Sequence, residues 1–159
     1  MIPLFSLGPI WVSDFLKDGE QPRGQQHELE LVMEEDTRAV RLKTTVPLDT
    51  MFGKYFYRSG INESMRRSLK DVVDSIIPLM QWNKRDVWLD VACNDATLLS
   101  YVPSDFWTIG IDPADDTYTS ISRNIADDVV QDYFSVEAYN KSAAKGTKAK
   151  IISAIAVFY

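Results

Sequence analysis

The sequence predicts an α/β fold with a parallel sheet, preceded by a small β-rich module. Three observations carry this. From Asn62 onward short apolar runs alternate with helix-like segments, the first two of those runs each carry an aspartate at or just beyond their carboxyl end, and residues 1–57 differ in texture, with prolines and polar turns between strand-like runs. The chain of 159 residues has room for about one domain, and 45% hydrophobic with 25% charged residues is close to the globular average, so a core can form.

In residues 1–57, His27–Met33 begins as an alternating polar and apolar strand, and Arg38–Thr44 reads as a half-exposed strand. Glu34-Glu35-Asp36-Thr37 between them is a polar turn, so a β-hairpin is expected. Met65, Leu69, Val72, Val73, Ile76 and Met80 then recur at three- and four-residue steps and form one helical face. Asn62 is a good N-cap for that helix, Glu63 complements its positive end, and Pro78 marks a stop or kink.

Beyond the helix, Asp86–Ala92 is a buried-strand run, followed by a short helical segment over Ala96–Tyr101 that must end before Pro103. Phe106–Ile111 is a second strand, Thr117–Ala126 a helix, Val129–Gln131 a weak third strand and Ala149–Val157 a strong fourth. Lys141–Lys150, with four lysines and Gly146, reads as a solvated loop.

Charge and composition exclude several classes of function. With 17 Lys+Arg against 23 Asp+Glu, the net charge of −6 creates no field that would gather phosphates, so neither nucleic acid nor an anionic membrane is an expected partner. The sole cysteine, Cys93, cannot close an internal disulfide, and with one histidine, His27, it cannot build a structural zinc site. His27 has no partner motif and reads as a surface or turn residue, and Cys93 has no neighbour to activate it as a nucleophile. The N-terminus lacks a basic signal-peptide start, and no apolar run approaches the roughly 20 residues that span a bilayer, so a cytoplasmic location is expected.

In an open α/β sheet, ligands bind at the carboxyl ends of the strands, and the first strand-to-helix turn is the usual cradle. Here that turn is Asp90-Val91-Ala92-Cys93-Asn94-Asp95-Ala96, and Asp112 ends the second strand twenty-two residues after Asp90. An acid at about that distance is placed to accept hydrogen bonds from ribose hydroxyls. Spacing alone leaves open an aspartate that merely caps a helix or turn. The absence of a Gly-x-Gly-x-x-Gly loop argues against a nicotinamide-dependent oxidoreductase.

Four segments, in this order along the chain, together resemble the S-adenosylmethionine-dependent sugar C-methyltransferase family: Tyr57–Arg66, Trp88–Leu99, Gly110-Ile111-Asp112-Pro113 and Lys148–Tyr159. The resemblance runs from about Leu7 to the last residue, with Leu7-Gly8-Pro9-Ile10 and Asp14-Phe15-Leu16 similar to the family's opening segment. It implies a Rossmann-like methyltransferase domain over 58–159, S-adenosylmethionine as cofactor and a nucleotide-linked deoxysugar as the methyl acceptor. The family's cofactor loop, Leu-Asp-x-Gly-Ser-Asn-Asp-Gly-Thr-Leu-Leu, is matched at Leu89, Asp90, Asn94, Asp95, Thr97, Leu98 and Leu99. By the same resemblance Asp90, Ala92, Asn94 and Asp95 belong to the cofactor loop, Asp112 to the ribose, and Asp132, followed by Phe134, to the neighbourhood of the adenine. Tyr57 matches a tyrosine near the family's active site and is the candidate catalytic residue. Its neighbours Tyr55 and Phe56 read as packing anchors.

The departures from the family are equally specific. Ala92 and Ala96 stand where the family has glycine, and Cys93 where it has serine. Each alanine adds a Cβ that disfavours positive φ and close ligand approach. Residues 1–57 resemble the family's zinc-binding module, but Glu34 and Thr37 occupy cysteine positions, so no metal is expected. The family continues past the Phe158-Tyr159 pair into segments that carry its general base and much of its sugar site. The chain is therefore expected to act as a partial methyltransferase, inactive alone, whose open fourth strand invites self-association or a second polypeptide. A non-catalytic remnant or scaffold, and one half of a split enzyme, are the alternatives.

Overall fold

Residues Ile2–Trp11 form a strand, β1, although they carry Pro3 and Pro9. In the computed structural model, which describes residues 1–12, 17–22, 24–52 and 57–158, this strand lies at the edge of a three-stranded antiparallel sheet. An edge strand tolerates proline because one of its sides needs no ladder donor. Register shifts between Pro3 and Phe5 and between Ser6 and Gly8 absorb the irregularity. The sequence reading did not find β1, because prolines and weak alternation hide an edge strand. The Asp14-Phe15-Leu16 segment, Tyr55, Phe56 and Tyr159 lie outside the described residues.

The hairpin expected next is present as β2 (Gln26–Met33) and β3 (Val40–Leu42). β3 is shorter than Arg38–Thr44 because Arg38 takes a φ of 59° in the turn, where its amide donates to the Glu34 carbonyl at 3.0 Å. Glu34 binds Arg41 at 2.6 Å, and the Thr37 hydroxyl accepts from the Ala39 amide at 3.3 Å. His27 is no surface or turn residue; it lies half-buried inside β2, opposite Ile10. A short helix, α1 (Leu48–Phe52), follows Pro47. Among the described residues of this first unit, Met1–Tyr55, only Val32 is a buried apolar side chain.

The second unit, Phe56–Tyr159, holds the α/β architecture. Its long helix α2 (Glu63–Ile76) is capped by Asn62, whose side-chain oxygen accepts from the Ser64 amide at 2.9 Å, and buries Leu69 and Val73. Pro78 ends it in a 3₁₀ turn over Ile77–Leu79, which leaves Met80 in extended backbone rather than on the helical face.

Four parallel strands follow: β4 (Val87–Val91), β5 (Trp107–Ile111), β6 (Asp128–Val130) and β7 (Ala149–Ala154). Their spatial order is β6-β5-β4-β7, so the chain reverses direction across the sheet between β4 and β7. β4 is buried throughout, as a strand covered on both faces must be. Trp88 packs on one face with Leu69, Val73, Leu99 and Phe106, while Val87, Leu89 and Val91 pack on the other with Ile109, Ile111, Ala138 and Ala144.

The helices between strands are shorter than the sequence suggests. Ala96–Tyr101 contains only a 3₁₀ turn at Leu99–Tyr101, because Ala96 itself has a φ of 59° and cannot start a helix. Helix α3 spans Asp116–Ser122, capped by Asp115, and its expected last residues instead turn toward β6. After β6 the chain forms α4 (Val136–Tyr139), capped by Ser135. β7 ends three residues before Val157, and Ala156 beyond it takes a φ of 53°. Among the described residues no helix is long and apolar enough to cross a membrane.

Gly110, in β5, is fixed by close approach: a Cβ there would lie 2.5 Å from Cys93 Sγ. Both partners are buried, so neither has room to retreat. Gly110→Ala is expected to destabilise the chain by about 1–3 kcal/mol through overpacking. Thermal denaturation of the variant, read as a lower midpoint, checks this.

Candidate functional site

Where β4 ends, the chain must turn sharply, and three non-glycine residues take positive φ to do so: Ala92 at 56°, Asn94 at 52° and Ala96 at 59°. For alanine this conformation costs about 1–2 kcal/mol, so other bonds must hold it. The Ala92 amide donates to the Ile111 carbonyl at 2.8 Å, and the Asn94 amide to Asp112 Oδ2 at 2.8 Å. Asp112 Oδ1 meanwhile accepts from the Ala114 amide at 2.8 Å. The loop after β4 is thus latched to the carboxyl end of β5, and the Asp112 amide continues the latch to Val130 of β6.

A second set of bonds brings residues 57–60 to the same loop. Asn94 accepts from the Ser59 amide at 3.0 Å and donates to the Tyr57 carbonyl at 3.0 Å. Asp95 Oδ2 accepts from Arg58 Nε and the Gly60 amide, each at 2.9 Å. Its Oδ1 accepts from the Thr97 amide at 3.2 Å and the Thr97 hydroxyl at 2.5 Å. A Cβ on Gly60 would come within 2.7 Å of Asp95 Oδ2, so this approach needs glycine.

Asp90 is held differently. It is 4% exposed, and its Oδ1 accepts from the Ser153 hydroxyl of β7 at 2.6 Å. Its Oδ2 accepts no hydrogen bond from a described residue. That oxygen is not sealed either, since His27 Nε2 is the one fully enclosed, unpartnered side-chain polar atom among the described residues. Burial pushes the Asp90 carboxyl up to about 7, against the Ser153 hydrogen bond, with the charge of Asp112 adding to the rise. Burial likewise raises Asp112, opposed by the amides of Ala114 and Asn94. Burial also holds the Cys93 thiol well above its ordinary value, which makes it inert packing at neutral pH.

The structure therefore brings Asp90, Ala92, Asn94, Asp95 and Asp112 together at the carboxyl ends of β4 and β5. Tyr57 reaches the group through its backbone carbonyl. Asp132, just beyond β6, is bound by Lys141 Nζ at 2.7 Å, a hydrogen bond that lowers its carboxyl. Sequence reasoning missed Ser153, Trp88 and Arg58. A lone hydroxyl in the apolar run Ile151-Ile152-Ser153-Ala154, in register with Asp90, was the available signal for Ser153.

The loop backbone takes the positive φ that glycine adopts freely, and Asp90 keeps an unpaired acceptor, Oδ2, beside it. The two alanines differ in consequence: Ala96 is buried within the protein, whereas Ala92 is exposed. Among the described residues no group of three or more His, Cys, Asp or Glu is placed to hold a metal ion. No protein-family model matches the chain, and neither does any curated protein sequence.

The raised carboxyl of Asp90 sets a pH dependence of stability. The folded state keeps the proton between about pH 4 and pH 7, where the unfolded chain has lost it, so Asp90's contribution is greatest below that window and falls as pH rises through it. Asp90→Asn is expected to flatten this fall and to stabilise the protein at pH 8, by about 4 kcal/mol at most. Asp112 has the same sign and leaves a residual slope. Urea denaturation of both proteins at pH 5 and pH 8 measures the difference.

Proposed function

We propose that the chain binds S-adenosylmethionine at the carboxyl end of its parallel sheet, as a Rossmann-like methyltransferase domain whose acceptors are nucleotide-linked deoxysugars methylated on carbon. A cytoplasmic location belongs to this reading. The observation that carries it is the pair of buried acids at the switch point, Asp90 and Asp112, joined by a loop with glycine-like backbone. Asp112 takes the ribose hydroxyls: each of its oxygens accepts one backbone amide and keeps capacity for a further donor. Asp90 and Asn94 lie toward the methionine part, and Asp132 toward the adenine. Asp95, already bonded to Arg58, Gly60 and Thr97, shapes the loop from behind. Tyr57, anchored through its carbonyl, is the residue proposed to face the sugar.

A non-catalytic scaffold is the second reading, and one feature favours it. Ala92, where the family has glycine, is exposed and holds a positive φ, so its methyl adds bulk to the loop surface.

Isothermal titration with S-adenosylmethionine and S-adenosylhomocysteine separates the two. Cofactor binding is expected, with a loss of about tenfold or more on Asp112→Ala, the scale of a hydrogen bond to a charged group. Ala92→Gly is expected to tighten binding and to raise stability by about 0.5 kcal/mol, the relief of positive φ less the entropy of an added glycine. No heat of binding at millimolar cofactor would favour the scaffold, and binding unchanged by Asp112→Ala would remove the ribose assignment.

A further inference from the structure

Asp90 and Ser153 are direct partners in the parallel register of β4 and β7, and Trp88, two residues before Asp90, projects from the same face of β4. The Trp88 indole Nε1 donates to Ser153 Oγ at 3.0 Å. Indole nitrogen can only donate, so Ser153 Oγ must accept, and its own single proton is directed away from the ring. Two acceptors compete for that proton: Asp90 Oδ1 at 2.6 Å and the Leu89 carbonyl at 3.4 Å. With Asp90 ionised, the shorter, charge-assisted bond wins. The order of donation is therefore fixed as Trp88 to Ser153 to Asp90.

The upstream end of this relay is immobile. Trp88 is fully buried, meets Phe106 edge to face at 5.5 Å, and Phe106 stacks on Trp82 at 5.5 Å. The downstream end is unpaired, since Asp90 Oδ2 accepts nothing from the described residues.

We propose that Ser153 is a positioning residue for the cofactor site: oriented by Trp88, its hydroxyl fixes the Asp90 carboxylate by one oxygen and leaves the other free for the ligand. This rests on the cofactor reading above for the identity of the ligand, but the coupling of Ser153 to Asp90 is a property of the free protein. The ionisable groups that act on or are acted on by Asp90 are Asp112 from the end of β5 and Cys93 from its own loop. Among the described residues no cation is a cause of Asp90's displacement, so the Ser153 hydroxyl is the group that favours its charged form.

The test is the carboxyl titration of Asp90, followed by ¹³C NMR in the intact chain and assigned with Asp90→Asn. Ser153→Ala is expected to move the midpoint to higher pH, and Ser153→Thr, which keeps the hydroxyl, to leave it near the wild-type value. Affinity for S-adenosylhomocysteine should fall about tenfold in Ser153→Ala at pH 7, narrow as pH rises until Asp90 is ionised in both proteins, and recover in Ser153→Thr. Trp88→Phe removes the upstream donor alone and should shift the midpoint the same way by less; it carries the test if Ser153→Ala does not fold. A midpoint indifferent to Ser153→Ala, or to Trp88→Phe in that case, overturns the proposal. A displaced midpoint in a protein that binds no adenosyl ligand upholds the coupling and removes the cofactor reading instead.

Discussion

Asp95 is 1% exposed and carries a charge that the interior would reject if it were unpaired, so donors must converge on it from wherever the chain can supply them. They come from both sides of α2 in sequence: Arg58 and Gly60 before the helix, Thr97 well after it. This one requirement ties the entry to α2 to the loop after β4. Gly60 must then be glycine to let the carboxylate approach, and Asn94 is carried into reach of Ser59 and Tyr57. The loop acquires its shape from that convergence together with the latch to Asp112.

The three buried acids of the second unit differ in how completely the protein answers them, and the difference divides their work. Asp95 has a guanidinium, two amides and a hydroxyl. Asp112 has two amides. Asp90 has one hydroxyl, and burial raises its carboxyl furthest toward neutrality, to about 7. A group left under-answered at a strand end, beside a chain reversal, is where a ligand can complete the bonding. The same chemical group is structural in one position and available in another, and only the count of donors separates them.

Much of this was legible in the sequence, for reasons that can be given residue by residue. β4 and β5 announce themselves as apolar runs with an acid at or just beyond their carboxyl end, and α2 by its periodicity and the Asn62 cap. Strand β1 was hidden because proline at a sheet edge costs little, so its presence there says nothing against a strand. The segment from Ala96 to Tyr101 reads as a short helix, but Ala96 is held in positive φ and only a 3₁₀ turn remains. Ser153 was overlooked because one hydroxyl in an apolar strand resembles ordinary core, and its meaning depends on a pairing across sixty-three residues of chain.

The two alanines of the loop illustrate why a substitution read from a motif has no single physical meaning. Both replace an expected glycine, and both take the left-handed conformation that a Cβ opposes. Ala96 is fully buried and donates its amide to the Cys93 carbonyl at 2.8 Å, so its methyl contributes packing that offsets part of the strain. Ala92 is exposed, and its methyl gains no such packing, while its amide is committed to the Ile111 carbonyl and cannot relax the turn. The strain at Ala96 is thus absorbed into the core, whereas that at Ala92 sits on an exposed loop residue with no burial to offset it.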